Sequence, residues 1–564
     1  MKPVIFILTI ILCIYLPVAI SVSVDFNDDG FVDIQDLIIV FLSFDQEEFD
    51  TRIDTNSDGI IDIRDIVYVA RRFGTAVTPD ECSPQIEICD NGIDEDCDGS
   101  DLTCIAGRNL YVSTIGNDAH NGLAPTYQGG NDGPFRTVQK AITASIEGDT
   151  IFIAAGTYDL EKYSATLNKA ISLVGQSRDA TILTNGGTLS LHKRVNAKNI
   201  MFKNYFKRDY NSAVFRLIPS AGEAIDSMVI DSCAFDNVPG VLLSRGVEGT
   251  MRDIFVTNNV MTNINSPWSV QAIALFDGNI ANIIVSNNTI RNVFTTAPYY
   301  DVIVIIFGRD EATVVDKIIV SENVIETVRG GTQKTDSGYS PGGRGVLGYG
   351  DNIKVLNNRI SDFDQNGFPR NCIYLKGSNA TISGNIVHNC GSETAGSGSG
   401  DICIKGNNNE NNIVTGNHIT SDSNQVLGGF GIYTKGGGTI EDNYIYKPHG
   451  IGIFSFNSTG LTLLISKNYV ETGNRSIWSY GSGILGTIRD NALISHIDEP
   501  TRIPANFNLI NNQVCKGSSC SLEPPVKTCI NQGYYCCSSC SGTSYSSYDS
   551  TCQYDKAKCC AACS

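Results

Sequence analysis

The sequence predicts a mainly-β solenoid, a coil of short parallel strands, with a small acidic module before it and a cysteine-rich tail after it. Three observations predict the coil. The first is an asparagine that recurs inside one phrase, as in Phe255-Val256-Thr257-Asn258-Asn259-Val260, at Asn259, Asn288, Asn323, Asn358, Asn385, Asn417, Asn443, Asn468, Asn491 and Asn512. The steps are 29, 35, 35, 27, 32, 26, 25, 23 and 21 residues, a drifting period in the range of repeat architectures. The second is that each copy holds one or two runs of alternating apolar residues, too short for helices. The third is that Gly and Asn, which favour turns, punctuate those runs. Side chains at equivalent positions of such a coil stack. An asparagine repeated at one corner can therefore hydrogen-bond the copies above and below, leaving no buried amide unpaired.

Taken in chain order, residues 1–23 open with Met1-Lys2 and an apolar run from Val4 to Ile20, closed by small polar residues. One basic residue before a short apolar core reads as a secretory signal, with an uncleaved anchor as the alternative. The chain has a net charge of −19, and residues 22–106 hold 22 Asp and Glu against 4 Arg. The acidity thus belongs to the N-terminal segment. The near-neutral remainder lacks the basic footprint of a nucleic-acid binder and leaves an acidic glycan open as a partner.

Within residues 24–76 the acidity is organised. Asp25, Asn27, Asp29, Gly30, Phe31, Asp33 and Asp36 recur 29 residues on as Asp54, Asn56, Asp58, Gly59, Ile60, Asp62 and Asp65. Both sets match a twelve-residue calcium loop, with oxygen ligands at alternate positions, Gly for the sharp turn, and a backbone carbonyl from Phe31 or Ile60. Each loop leads into an amphipathic run, 34–44 and 63–73. Position 12 is Asp in place of the Glu of an EF-hand. The pair resembles a type I dockerin, a duplicated loop–helix Ca2+ module. That resemblance implies a cohesin-bearing partner, although Ile34-Gln35 and Ile63-Arg64 replace the Ser/Thr pairs common in the family. Residues 80–106 follow, where Cys82, Cys89, Cys97 and Cys104 alternate with Asp90, Asp94, Asp96, Asp98 and Asp101. They resemble a short Cys/Asp-rich metal-binding motif, with hard oxygens suited to calcium. A disulfide-stapled acidic linker is the alternative.

Residues 107–514 are the coil. Its opening phrases are Leu110-Tyr111-Val112-Ser113, Gly116-Asn117-Asp118, Gly133-Pro134-Phe135-Arg136-Thr137 and Ala155-Gly156-Thr157-Tyr158. Together with the asparagine repeat they resemble the right-handed parallel β-helix of polysaccharide lyases and related carbohydrate-active proteins. The resemblance implies a short helix, about 135–146, over the first turn of the coil. It implies no single activity, because the fold hosts lyases, hydrolases, epimerases, adhesins and inert shafts.

The resemblance does say what chemistry to seek. Lyases of this fold use Lys or Arg to remove the proton α to a uronate carboxyl, and hydrolases use paired aspartates. One apolar–x–x–Lys–Gly phrase occurs three times, ending in Lys376-Gly377, Lys405-Gly406 and Lys435-Gly436. Steps of 29 and 30 residues predict that Lys376, Lys405 and Lys435 stack on successive coils. Arg370, Asp401, His388, His418 and Tyr374 lie near in sequence, and Arg309 and Arg344 lie upstream. One reading is a basic stripe for an acidic sugar chain with one lysine as base; the other is a set of solvated strand ends. For a hydrolase the candidates are Asp362, Asp364 and Asp401. A non-catalytic adhesin or shaft is the third possibility.

Ten of the 19 cysteines crowd into 515–564, among Tyr, Ser and Gly with little to build a core. Disulfides are the expected source of order there.

Overall fold

A computed structural model describes residues 107–517 apart from 207–208, 210, 310–312, 334–341, 364–370, 391–401, 423–428, 457–460, 481–484, 498 and 504–506. It also describes eleven single positions between Phe26 and Val69 and the short strands Tyr535–Cys537 and Lys558–Cys560. The chain divides into two compact units, Met1–Thr103 and Cys104–Ser564.

The larger unit is a parallel β-helix, as the repeat predicts. One coil consists of Ile353–Leu356, Arg359–Phe363 and Asn371–Lys376, joined by turns. Each strand pairs in parallel with its counterparts one coil before and one coil after, which generates three faces. Face A runs from Asn109–Val112 to Phe507–Ile510, face B from Gly156–Asp159 to Gln513–Lys516, and face C from Ala165–Leu167 to Thr501–Arg502. Two long strands, Ile402–Thr415 and Phe430–Glu441, pass from face C of one coil into face A of the next. Alternation decides which side chains enter the interior. In Ile171–Gly175 the first, third and fifth residues are buried, and one apolar cluster extends from Leu110 to Phe507.

The asparagine ladder stands at the corner between faces A and B. From Asn259 to Asn491, each backbone N–H and each side-chain amide donates to the Oδ1 of the next asparagine, at 2.9–3.1 Å, ending on Asn512. The nine rungs from Asn259 to Asn491 are at most 1% exposed. The residue before each rung turns the corner with a left-handed backbone. At Asn258, Asn287 and Asn357 φ is 57°, 56° and 54°, and at Gly384 and Gly416 it is 65° and 62°. Asn and Gly tolerate that region best, which explains the doublets Asn258-Asn259 and Asn287-Asn288 visible in the sequence.

The helix expected near 135–146 spans Val138–Ala144. Thr137 caps it by accepting the Lys140 N–H, and Val138, Ala141 and Ile142 are buried against the first coil. Among the described residues no helix is long and apolar enough to cross a membrane. Cys372 and Cys390 are bridged, whereas Cys233 is a buried thiol that burial pushes up to about 12.

In the smaller unit, Phe26, Leu37, Val40, Ile53, Ile61 and Val69 form a compact apolar cluster. Asp36, Leu37, Ile39 and Val40 are helical, as are Asp65, Ile66 and Val69, within the amphipathic runs at 34–44 and 63–73.

Candidate functional site

Face C carries the three lysines, but not in one column. Pairing sets Ile373 opposite Ile404 and Ile404 opposite Ile432. Lys376 therefore lies against Asn407, and Asn407 against Lys435. Lys405 sits two positions along, between Tyr374 and Tyr433. The expected stack of Lys376, Lys405 and Lys435 is corrected: the middle copy is offset by two residues. An offset of two keeps each side chain on its face, since the strand period is two. It also removes three ammonium groups from a ~4.8 Å stack, where they would repel.

Two parallel columns result on the outer surface. The first reads Leu347, Tyr374, Lys405, Tyr433, Phe454, Trp478, Arg502. The second reads Tyr349, Lys376, Asn407, Lys435, Phe456, Tyr480. Their inward neighbours Ile373, Ile404, Ile432, Ile453 and Ile477 belong to the core, so the described side chains of both columns point outward. The rings touch one another: Tyr433 stacks on Phe454 at 5.3 Å, Phe454 meets Trp478 edge-on at 5.1 Å, and Phe456 stacks on Tyr480 at 5.9 Å. Flat rings with intervening cations form a surface that sugar rings and carboxylates can use together.

Lys405 is the centre of this surface. Its Nζ lies 4.5 Å from the centre of the Tyr374 ring and 5.4 Å from that of Tyr433. Among the described residues it makes no ion pair. Burial, then the positive charges of Arg344, Lys376 and Lys435, hold its ammonium below the usual lysine value. Arg344, on the same strand as Tyr349, pairs with Asp301 at 3.2 Å. Burial, reinforced by Tyr374, keeps the Tyr433 phenol above its ordinary value and hence protonated.

The other sequence candidates separate from this site. His388 and His418 are on face B, where His388 Nδ1 lies 2.8 Å from Thr420 Oγ1 and His418 stacks on Tyr444 at 4.6 Å. Burial pushes His418 down to about 4. Asp362 also belongs to face B. Arg309 is exposed beside Asp277 at 3.9 Å. Arg370, Asp364 and Asp401 lie outside the described residues. The aromatic members Tyr349, Tyr433, Phe454 and Trp478 were not singled out from sequence. Their only signal is a column that forms once the register is known.

Of the calcium loops only Asp36 and Asp65, both at position 12, are described. Both side chains are fully buried, and Asp36 Oδ1 accepts the Phe26 N–H at 2.7 Å. Asp25, Asn27, Asp29, Phe31, Asp33, Asp54, Asn56, Asp58, Ile60 and Asp62 lie outside the described residues, as do Asp90, Asp94, Asp96, Asp98 and Asp101. Among the described residues no three His, Cys, Asp or Glu side chains gather as a metal site.

The geometry defines a parallel β-helix protein with an outward aromatic and basic ladder. No family model and no curated protein matches the chain. Solved structures of polysaccharide-acting enzymes are among those it is similar to. The catalytic unit of a GH87 alpha-1,3-glucanase from Streptomyces thermodiastaticus is 12% identical over 75% of this chain and 74% of that one, at a TM-score of 0.30. The A-module of a mannuronan C-5 epimerase from Azotobacter vinelandii is 12% identical over 67% and 91%, at 0.29. A mannuronic acid specific family 6 polysaccharide lyase from human gut microbiota is 14% identical over 69% and 85%, at 0.31.

Proposed function

We propose that the chain binds an acidic polysaccharide along the face C ladder and cleaves it by elimination, with Lys405 as the base. The carrying observation is a lysine with no ion pair among the described residues, held between two tyrosine rings and surrounded by Arg344, Lys376 and Lys435. Burial and like charges favour the neutral amine, which is the form able to accept a proton. The same cations neutralise a uronate carboxylate, which acidifies the proton α to it. Lys405 Nζ takes that proton, the C4–O bond breaks, and a C4=C5 double bond forms. The departing oxygen takes a proton from the Tyr433 hydroxyl.

The N-terminal unit is the proposed attachment module. Two repeated loops with buried position-12 carboxylates support Ca2+ as its ligand, and through the dockerin resemblance a cohesin-bearing protein as its partner. Residues 1–23 serve as the export signal in this reading, which puts the protein outside the cell or on its surface.

The test follows ultraviolet absorbance of unsaturated sugar ends, alongside reducing ends, on a panel of uronic-acid and neutral polysaccharides. Absorbance on a polyuronate supports elimination. Reducing ends without absorbance assign a hydrolase, and silence on both channels with retained binding assigns a non-catalytic glycan-binding shaft. Calcium has its own test. Chelation is expected to remove the low-temperature transition of residues 24–76 and to leave that of the coil in place by calorimetry. An earlier melt of the coil would put calcium there instead.

A further inference from the structure

Face C has a second polar feature, six strands before Lys405. Thr166, Ser190 and Arg216 occupy the same outward column in the first strands of the face. Pairing continues from Arg216 through Leu243, Ala274, Ile306 and Leu347 to Tyr374 and Lys405. At ~4.8 Å per strand the separation is about 29 Å. The four apolar residues between are at most 3% exposed. The covered strip makes this pocket a site apart from the lysine ladder.

The pocket has a volume of about 250 Å³, and Asp209, Asn211 and Ser212 stand in its wall. Its wall is shaped locally: Asp209 Oδ1 accepts the Asn211 N–H at 2.8 Å, and the Asp209 N–H donates to Ser212 Oγ at 3.1 Å. Arg216 reaches the lining from the strand Phe215–Leu217. Arg216 makes no ion pair among the described residues. A guanidinium that lines a polar pocket without an ion pair among the described residues is placed to receive an anion. The space exceeds the ~30 Å³ share of one water about eightfold, which is room for a ring.

We propose that this pocket is a second saccharide site that takes a single sugar unit bearing a carboxylate. Arg216 offers the planar fork that matches a carboxylate. The hydroxyls of Ser164, Thr188 and Ser190 line the space that the sugar's own hydroxyls would enter. The Asp209 carboxylate accepts from hydroxyls but repels a small dianion, which favours a sugar acid over inorganic sulfate. The site stands independently of any cleavage at Lys405, so failure of either reading leaves the other intact.

The test is ligand-observed NMR on the full chain with D-glucuronate, D-galacturonate and D-mannuronate, each against its neutral sugar, and with sodium sulfate. At least one uronate is expected to bind more tightly than its neutral counterpart and than sulfate. Arg216→Gln is expected to weaken that binding at least tenfold. Ser190→Val, which fills the floor and leaves the guanidinium in place, is expected to weaken it at least as much. Circular dichroism checks that each variant folds. The proposal is overturned by no uronate binding to the unaltered chain, by equal binding of the neutral sugars, by tighter binding of sulfate, or by indifference to both pocket variants.

Discussion

Replacing Asn358 by Ala is expected to destabilise the coil by about 3 kcal/mol, through a buried network left half-made. Asn358 Oδ1 accepts from the Asn323 N–H at 3.0 Å and from the Asn323 amide at 2.9 Å. Its own amide donates to Val320 O at 2.8 Å and Leu356 O at 3.0 Å, and to Asn385 Oδ1 at 3.0 Å. Alanine removes the acceptor of two donors and strands the Asn323 N–H in a corner that water does not reach. Asn323 retains its bond to Val285 O at 2.8 Å, which limits the loss. Each coil contacts only its neighbours, so the damage is local. Hydrogen exchange is expected to accelerate in the coils carrying Asn323, Asn358 and Asn385 and to stay unchanged near Leu110. The end of the ladder is the control. Asn512 is only half-buried, so Asn512→Ala is expected to cost about 1 kcal/mol. Equal costs at both positions would show that the ladder is not the cooperative element described here.

The ladder was legible in sequence for a physical reason. A stacked side-chain network demands the same residue once per coil, and the corner before it demands a left-handed backbone, so Asn and Gly recur there whatever the loops do. Drift of the period from 35 to 21 residues does not blur the signal, because each loop bulges between corners. The lysines are the opposite case. Their phrase was aligned on Ile373, Ile402 and Ile432, but the coil pairs Ile373 with Ile404. A slip of one residue would have turned apolar side chains outward and betrayed itself. A slip of two preserves the alternation and is silent in any hydrophobic pattern. The aromatic ladder was hidden by the same silence, since Tyr374, Tyr433, Phe454 and Trp478 share no common spacing and meet only through register. The placement of His388 and His418 beside the lysines failed for a related cause: closeness in sequence spans two faces of one coil.

The register sets Lys405 apart from Lys376 and Lys435, and the expected result is correspondingly specific. Lys405→Ala is expected to lower kcat/KM for eliminative cleavage by roughly 10²–10⁴-fold, the usual range for loss of a general base. Lys376→Ala and Lys435→Ala are expected mainly to raise KM, because those side chains flank the amine and neutralise the ligand. The pH dependence carries a sign. The amine acts when unprotonated, so activity rises with pH through the Lys405 value, which lies below the 10.5 of an ordinary lysine. Removing the positive charge of Lys376 or Lys435 relieves part of the repulsion and moves that rise to higher pH. Stability runs parallel. The folded chain binds the Lys405 proton less tightly than the unfolded one, so the folded state gains stability as pH climbs from the folded value towards the unfolded one. Lys405→Met abolishes this gain and is expected to leave the coil no less stable at neutral pH. A Lys405→Ala variant that kept its rate within tenfold would remove Lys405 as base. A rise that stayed fixed in Lys376→Ala and Lys435→Ala would remove the electrostatic account of why the register sets Lys405 apart.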